Sequence, residues 1–244
     1  MPKRSTIRRG EGGVAAVDRA FAIVLALETA ATSLTLADLS RETGLYKSTV
    51  LRLLASLERH SMVMRNNQQR YGLGPLAFRL GRAYENTYQL RALVLPVLEG
   101  LVERGTESAS FHVRQDLRTR VCLFRIDSRH STLDSVRAGD LLPIDRGAPG
   151  KILRAFEHPD VLKKKHLPEA IAVSYGERDA ACAAIACPVF GPEQALYGAI
   201  SLSGPRERFA PEDVRRMSKP LLVAGEAVTQ SLGGVWPWRP AQRR

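Results

Sequence analysis

Cysteines, long apolar runs and catalytic motifs are scarce in this chain of 244 residues, and each scarcity excludes a class of protein. The three cysteines, Cys122, Cys182 and Cys187, are too few and too irregularly spaced for a disulfide framework or a zinc site. The apolar run at 180–190 is interrupted by Pro188 and is much shorter than the ~20 residues that span a bilayer. The N-terminus also lacks an apolar leader. We therefore expect a cytoplasmic protein that does not contact a membrane.

Catalytic signatures are missing as well. The five histidines are scattered, and neither a Gly-x-Ser-x-Gly elbow nor a metal-ligand spacing accompanies them. The segment 147–151 contains two glycines and a lysine, but it lacks the spacing of a phosphate-binding loop. The sequence therefore predicts a protein that is not an enzyme and needs no cofactor or metal. An enzyme in the C-terminal half is the less favoured alternative.

Positive charge, in contrast, is abundant. The formal net charge is +11 and the pI is near 10.1, which is typical of proteins that bind a polyanion. Residues 1–89 hold 13 Lys and Arg against 7 Asp and Glu, whereas residues 90–235 hold 20 against 18. The excess lies in the N-terminal part, including a flexible basic arm at 1–13, and in a basic tail at 236–244. Charge alone is also compatible with a protein that binds DNA without sequence preference and without a ligand.

Residues 36–52 have the pattern of two short helices joined by a tight turn. Thr35 is placed to cap the first helix, and Gly44 supplies the left-handed residue that the turn needs. The apolar residues of the second helix recur at helical spacing, at Val50, Leu53, Leu54 and Leu57. This pattern predicts a helix-turn-helix, and an ordinary helical hairpin remains the alternative.

The outer side of the second helix is short and polar. Its predicted DNA-contacting residues are Tyr46, Lys47, Ser48, Thr49 and Arg52. They lie in the first turns of the helix, where a recognition helix presents side chains to base edges in the major groove.

Two short β-prone runs follow, at 62–65 and 70–73, with a polar loop between them. They predict a hairpin, or wing, that places Arg65 and Arg70 near the DNA backbone. A helix at 14–30 completes a winged helix-turn-helix domain at 14–74.

Residues 75–89 predict a linker helix that begins at Pro75 and carries one apolar stripe. Such a helix suits dimerisation, because two helix-turn-helix copies related by a twofold axis bind a pseudo-palindrome in double-stranded DNA.

From residue 90 the pattern alternates between helices and strands and predicts an α+β domain at 90–235. Strands are expected at 109–113, 120–126 and 133–136, and a hairpin at 183–190 with 196–203. Helices are expected at 90–103, 149–156, 161–165 and 211–232.

The order of these motifs resembles IclR-type transcriptional regulators from about residue 13 to residue 233. The segments that carry the resemblance are LTLADLSRETGLYKSTVLRLLASLE, RYGLGPLAFRLG, RAGDLLPIDRGAPGKILRAF and IACPVFGPEQALYGAISLSGPRERF. The resemblance implies an N-terminal winged helix-turn-helix, a linker helix and a C-terminal GAF-like domain that binds a small effector, usually an organic or aromatic acid. It also implies homodimers or dimers of dimers (homotetramers).

The predicted effector site has a physical rationale of its own. The loop around Gly147, Ala148 and Pro149 precedes a helix, so its backbone N–H groups are placed to bind a carboxylate. Ser201 and Ser203 are two apart on a strand and point to one face, where they supply hydroxyl donors or form local strand hydrogen bonds. The resemblance adds Ser174 at the pocket edge and Ala184, where related proteins often carry cysteine.

Overall fold

A computed structural model of the chain describes residues 13–87, 89–163 and 166–238. The chain divides into two compact units, Met1–Tyr88 and Gln89–Arg244. The predicted basic arm and basic tail lie almost entirely outside the described residues. The predicted linker helix belongs to the first unit.

The first unit is three helices and a hairpin, followed by a further helix, as predicted. Its elements are α1 (Ala15–Thr29), α2 (Leu36–Thr43), α3 (Lys47–Arg59), β1 (Val63–Arg65), β2 (Tyr71–Leu73) and α4 (Pro75–Thr87). The core lies where the apolar stripes of the first three helices meet the hairpin, at Ile23, Leu27, Leu39, Val50, Leu54, Val63 and Tyr71. A backbone bridge between Leu34 and Tyr71 ties the hairpin to the segment before α2. The hairpin is therefore held in a fixed position beside α2 and α3.

The second unit is an antiparallel sheet with helices on both faces, which confirms the predicted α+β class. Its elements are α5 (Leu90–Glu103), β3 (Ser108–Arg114), β4 (Thr119–Ile126), β5 (Leu141–Pro143), α6 (Ala148–Ala155), β6 (Ala172–Tyr175), β7 (Cys182–Phe190), β8 (Leu196–Pro205) and α7 (Pro211–Ser231). The strand order is β5-β4-β3-β8-β7-β6. Strands β7 and β8 form the predicted hairpin.

The two faces of this sheet differ in polarity because side chains alternate along each strand. On β8, Ile200 and Leu202 point into the main core, which α5 and α7 cover. The residues between and beside them, Ser201 and Ser203, therefore point to the opposite face, where α6 packs. Helix α6 is only eight residues long and covers part of that face. The polar remainder forms the wall of a cavity.

Two predicted elements differ from the structure. The run at 133–136 is not a strand, because its backbone bonds locally: the Val136 N–H donates to the Asp134 carboxylate and the Arg137 N–H to Asp140. The edge strand forms instead at Leu141–Pro143, which pairs with β4. The helix predicted at 161–165 is a short 3-10 helix at Pro159–Lys163, and residues 164 and 165 lie outside the described part.

Candidate DNA interface and effector cavity

Both ends of α2 have a defined cap. The Thr35 N–H donates to the Asp38 carboxylate at 3.0 Å, and the Asp38 N–H donates to the Thr35 hydroxyl at 3.2 Å. Hydrogen bonds from Thr35, together with Arg41, lower the pKa of Asp38 to about 2. Gly44 ends α2 with φ +70°, a left-handed conformation that costs glycine little. The capping box therefore fixes the start of α2, and the left-handed glycine lets the chain turn from α2 into α3.

Helix α3 has one buried side and one exposed side. Val50 and Leu54 are buried in the core, with Leu53 and Leu57 packed against it, as the helical spacing predicts. The predicted DNA-contacting residues all lie outside this stripe: Thr49 is half-buried, and Tyr46, Lys47, Ser48 and Arg52 are exposed. Tyr46 is 86% exposed, which is unusual for a large aromatic side chain that contacts only its own domain.

The two arginines of the hairpin differ in exposure and in their contacts. Its loop is organised by the Asn66 side chain, which accepts hydrogen bonds from the Gln68 and Arg70 N–H groups. Arg65 is exposed and its guanidinium lies 5.3 Å from the Tyr71 ring centre. Arg70 is half-buried and its Nε donates to the Ser33 carbonyl at 2.9 Å. Arg70 therefore joins the hairpin to the segment before α2, and its contact with DNA stays a prediction.

The cavity of the second unit has a volume of about 40 Å³ and lies on the α6 face of the sheet. Six of the seven predicted effector residues line it: Gly147, Pro149, Ser174, Ala184, Ser201 and Ser203. The seventh, Ala148, is the first residue of α6 and is buried directly behind the wall. Four separate segments of the chain thus bring the predicted residues together.

The N-terminus of α6 is already occupied by groups of the protein itself. The Gly147 N–H donates to the Glu177 carboxylate at 3.0 Å, and the Ala148 N–H donates to the Ser174 hydroxyl at 2.9 Å. Lys151 pairs with Glu177 and donates to the Val173 carbonyl. The prediction that these backbone N–H groups are open to a carboxylate is therefore wrong for this conformation. A carboxylate side chain stands where the external anion was expected.

Burial raises the pKa of Glu177, but hydrogen bonds from Lys151 and from the Gly147 N–H outweigh it. The net effect lowers the pKa below its usual value. Glu177 is thus held in the charged form that suits the helix terminus.

The two serines also differ from each other. The Ser201 hydroxyl donates to the Ile185 carbonyl at 3.0 Å, so its proton is used within the sheet. Ser203 accepts a hydrogen bond from Arg125 Nη1 at 3.5 Å, which leaves its own proton available. Ser203 therefore fits the predicted donor role, and Ser201 retains only acceptor capacity.

Three polar cavity residues were not predicted from the sequence: His112, Arg120 and Asp134. His112 is buried, its Nε2 lies 2.9 Å from the Ser110 hydroxyl, and its Nδ1 has no partner among the described residues. Burial, followed by nearby arginines, lowers the pKa of His112 well below its usual value, so the ring is neutral. The signal in the sequence for His112 is the alternation of β3, in which Ser108, Ser110, His112 and Arg114 are separated by apolar residues.

Comparison with known proteins places both units in one family. Residues 16–67 match the model of the IclR helix-turn-helix domain, and residues 164–230 match that of the bacterial transcriptional regulator IclR C-terminal domain. This chain belongs to the IclR family of transcriptional regulators. The IclR resemblance, the fold class and the DNA-binding function expected from the sequence are thereby confirmed.

Curated IclR relatives match along most of the chain. The transcriptional repressor IclR of Escherichia coli strain K12 is 24% identical over 231 residues, which cover 83% of this chain and 84% of that protein. The regulator BhcR of Paracoccus denitrificans is 27% identical over 264 residues, which cover 96% of this chain and 91% of that protein. These relatives are named as regulators or repressors, in a family that is not enzymatic, so this IclR chain is a regulator rather than an enzyme.

Solved IclR structures share the fold. An IclR regulator from Alicyclobacillus acidocaldarius aligns with a TM-score of 0.75 at 23% identity, over 89% of this chain and 98% of that one. An IclR homologue from Microbacterium hydrocarbonoxydans, solved in complex with 4-hydroxybenzoate, aligns with a TM-score of 0.74 at 19% identity, over 89% and 99%. Within the described residues, no helix is long and apolar enough to cross a membrane, and no three metal-binding side chains cluster.

Proposed function

We propose that this regulator binds a pseudo-palindromic operator as a homodimer or a dimer of dimers, and that a small organic acid controls this binding. The observation that carries the proposal is the cavity of the second unit. Six residues predicted as effector contacts, from the start of α6 and from β6, β7 and β8, line this one space. A concave space in which a few polar groups converge among apolar ones is the usual form of a small-ligand site.

Helix α3 carries the DNA-binding half of the proposal. Its first turns expose Tyr46, Ser48 and Arg52 on the side opposite the buried stripe. A recognition helix in this position contacts base edges, whereas Arg65 on the hairpin is placed for the phosphate backbone.

A second copy of the chain accounts for the apolar surface of the first unit. Three α1 side chains, Val17, Phe21 and Leu25, and Val14 just before the helix lie at helical spacing and are between 45% and 67% exposed. On α4, Phe78 is 73% exposed and Leu80 is 52% exposed. Apolar side chains grouped in this way mark a protein interface. A twofold dimer through this surface presents two recognition helices to one operator.

The size of the cavity favours a small acid. A volume of about 40 Å³ holds about three water molecules, which is the space of a few ligand atoms. The relative solved with 4-hydroxybenzoate supports the acid class. An aromatic acid of that size requires the present cavity to widen.

Sequence-specific binding is tested with Arg52→Ala in the full chain. DNA selected from a random pool by the wild-type protein serves as the operator, and fluorescence anisotropy gives affinities for it and for random DNA. Loss of a base contact removes about 1–3 kcal/mol of discrimination, so operator affinity should fall far more than random-DNA affinity. Arg59→Ala, at the other end of α3, is the matched control and should not change the ratio. Equal losses for Arg52→Ala on both DNAs would refute the assignment.

Effector control is tested by measuring operator affinity and melting temperature of the full chain with a panel of carboxylic acids. An acid that binds the folded protein raises the melting temperature by mass action. The same acid should shift operator affinity, and Ser203→Ala should weaken both responses. If no acid has either effect while operator binding is intact, the ligand-independent alternative holds.

A further inference from the structure

Arg120 is a buried cation in the cavity wall without a counter-ion. The residue is only 3% exposed, and its Nη1 donates to the Pro143 carbonyl at 2.8 Å. Its Nε has no hydrogen-bond partner in the described part of the chain, where no carboxylate forms a salt bridge with it either. Buried arginines are normally paired with an anion, because an isolated buried charge is strongly destabilising.

The surroundings of Arg120 increase its demand for an anion. Burial, followed by the charge of Arg178 in the same cavity wall, lowers the pKa of Arg120 to about 10. The guanidinium still carries its charge at neutral pH. Burying this unpaired charge destabilises the folded chain, and a bound anion would remove that free-energy cost.

The carboxylates of the cavity wall do not meet this demand, because each has a partner elsewhere. Asp134 lies 2.9 Å from Arg125 Nη2. Glu177 pairs with Lys151. Asp179 accepts a hydrogen bond from the Ala181 N–H. Within the described residues, none of these three carboxylates forms a salt bridge with Arg120.

The position of Arg120 fits a ligand contact. Its Nη2 lies 3.4 Å from the point that a Cβ atom on Gly147 would occupy. It therefore lies beside the loop that was expected to bind the effector, and His112 in the same wall offers a further unpartnered nitrogen. Because the Gly147 N–H already donates to Glu177, an external acid in this conformation must bind to a different group. Arg120 is a buried cationic side chain in this wall.

We propose that Arg120 binds the carboxylate of the effector and that the effector is a small monocarboxylate. This inference rests on the proposed function, since it assumes that an acid enters the cavity. A single enclosed guanidinium neutralises one negative charge, and a planar guanidinium binds a carboxylate through two parallel hydrogen bonds. The guanidinium thus selects for the charged acid against its neutral amide.

The test compares the full-length wild type with Arg120→Met, Arg120→Lys and the control Arg118→Met, an exposed arginine two residues away. Melting temperatures are measured with formate, acetate, glycolate, lactate, pyruvate and 4-hydroxybenzoate, and with acetamide and lactamide, at constant ionic strength. We expect at least one monocarboxylate to raise the melting temperature of the wild type and of Arg118→Met by about 2 °C or more, and the amides to have no effect.

Arg120→Met should lose this response and, without ligand, should melt no lower than the wild type, because it removes a buried unpaired charge. Arg120→Lys should keep a response that is weaker by about tenfold or more in affinity, and it decides the matter if the Met variant does not fold. A full acid response in Arg120→Met, or an undiminished one in Arg120→Lys, overturns this inference and leaves the proposed function standing. No response to any acid in the wild type contradicts the proposed function itself, and this inference with it.

Discussion

A substitution at Gly44 tests whether its left-handed backbone conformation stabilises the helix-turn-helix, almost without steric effects. An added Cβ at Gly44 meets no atom within 4 Å, so Gly44→Ala changes only the backbone preference at φ +70°. A left-handed alanine costs about 1–2 kcal/mol. The stiffer unfolded chain offsets about 0.4–1 kcal/mol of that cost. We therefore expect a net loss of about 1 kcal/mol in the free energy of opening of α2 and α3.

Gly100→Ala is the matched control. Gly100 lies inside α5, where an added Cβ also meets no atom within 4 Å and the backbone is helical. This change should stabilise α5 by about 0.5–1 kcal/mol.

Native-state hydrogen exchange on the full chain separates the two units, which a single melting curve does not. Amides of α2 and α3 should exchange about fivefold faster in Gly44→Ala than in the wild type. In Gly100→Ala they should exchange at the wild-type rate. If α2 and α3 exchange at the wild-type rate in Gly44→Ala, the left-handed turn is not what holds α3 in place.

Two further predictions concern the second unit. The lowered pKa of Glu177 means that its pairing with Lys151 stabilises the fold above the usual carboxyl pKa of 4.5 and is lost as the pH falls below it. The melting temperature of the wild type should therefore fall more steeply below about pH 4.5 than that of Glu177→Gln, and parallel curves would contradict the pairing. At Gly198 an added Cβ would lie 2.5 Å from Phe111 Cζ, so Gly198→Ala should destabilise the sheet by about 1–3 kcal/mol. The same Cβ would lie 2.6 Å from the His112 carbonyl oxygen. Faster exchange of β3 and β8 amides, with Gly100→Ala as the control, checks this; unchanged exchange would mean that both the ring and the backbone of β3 move aside freely.

The sequence predicts well wherever local rules determine the structure. The spacing of Val50 and Leu54 and the turn glycine at Gly44 are local, and the structure has α3 and its turn where these rules place them. The serine spacing on β8 also puts Ser201 and Ser203 on the cavity face, because side chains alternate along a strand.

The sequence predicts poorly where distant segments compete for the same groups. No residue near Gly147 in the sequence indicates that its N–H donates to the carboxylate of Glu177, 30 residues later. Arg120 follows a turn and looks like a solvated strand end, but in the structure it is buried and donates to the Pro143 carbonyl of β5. Pairings of this kind depend on tertiary contacts, which neither composition nor periodicity encodes.

The edge position of β6 has a consequence for the speed of the regulatory response. Ser174 on β6 and Glu177 just after it form one wall of the cavity. Among the described residues β6 pairs only with β7, whereas β3 and β8 on the other side each pair with a strand on both edges. Edge strands open at a lower free energy than central strands. We therefore expect the residence time of the proposed effector to follow the opening rate of Ala172–Tyr175. A change in this strand should then alter the rate of the regulatory response without altering the equilibrium affinity for the acid.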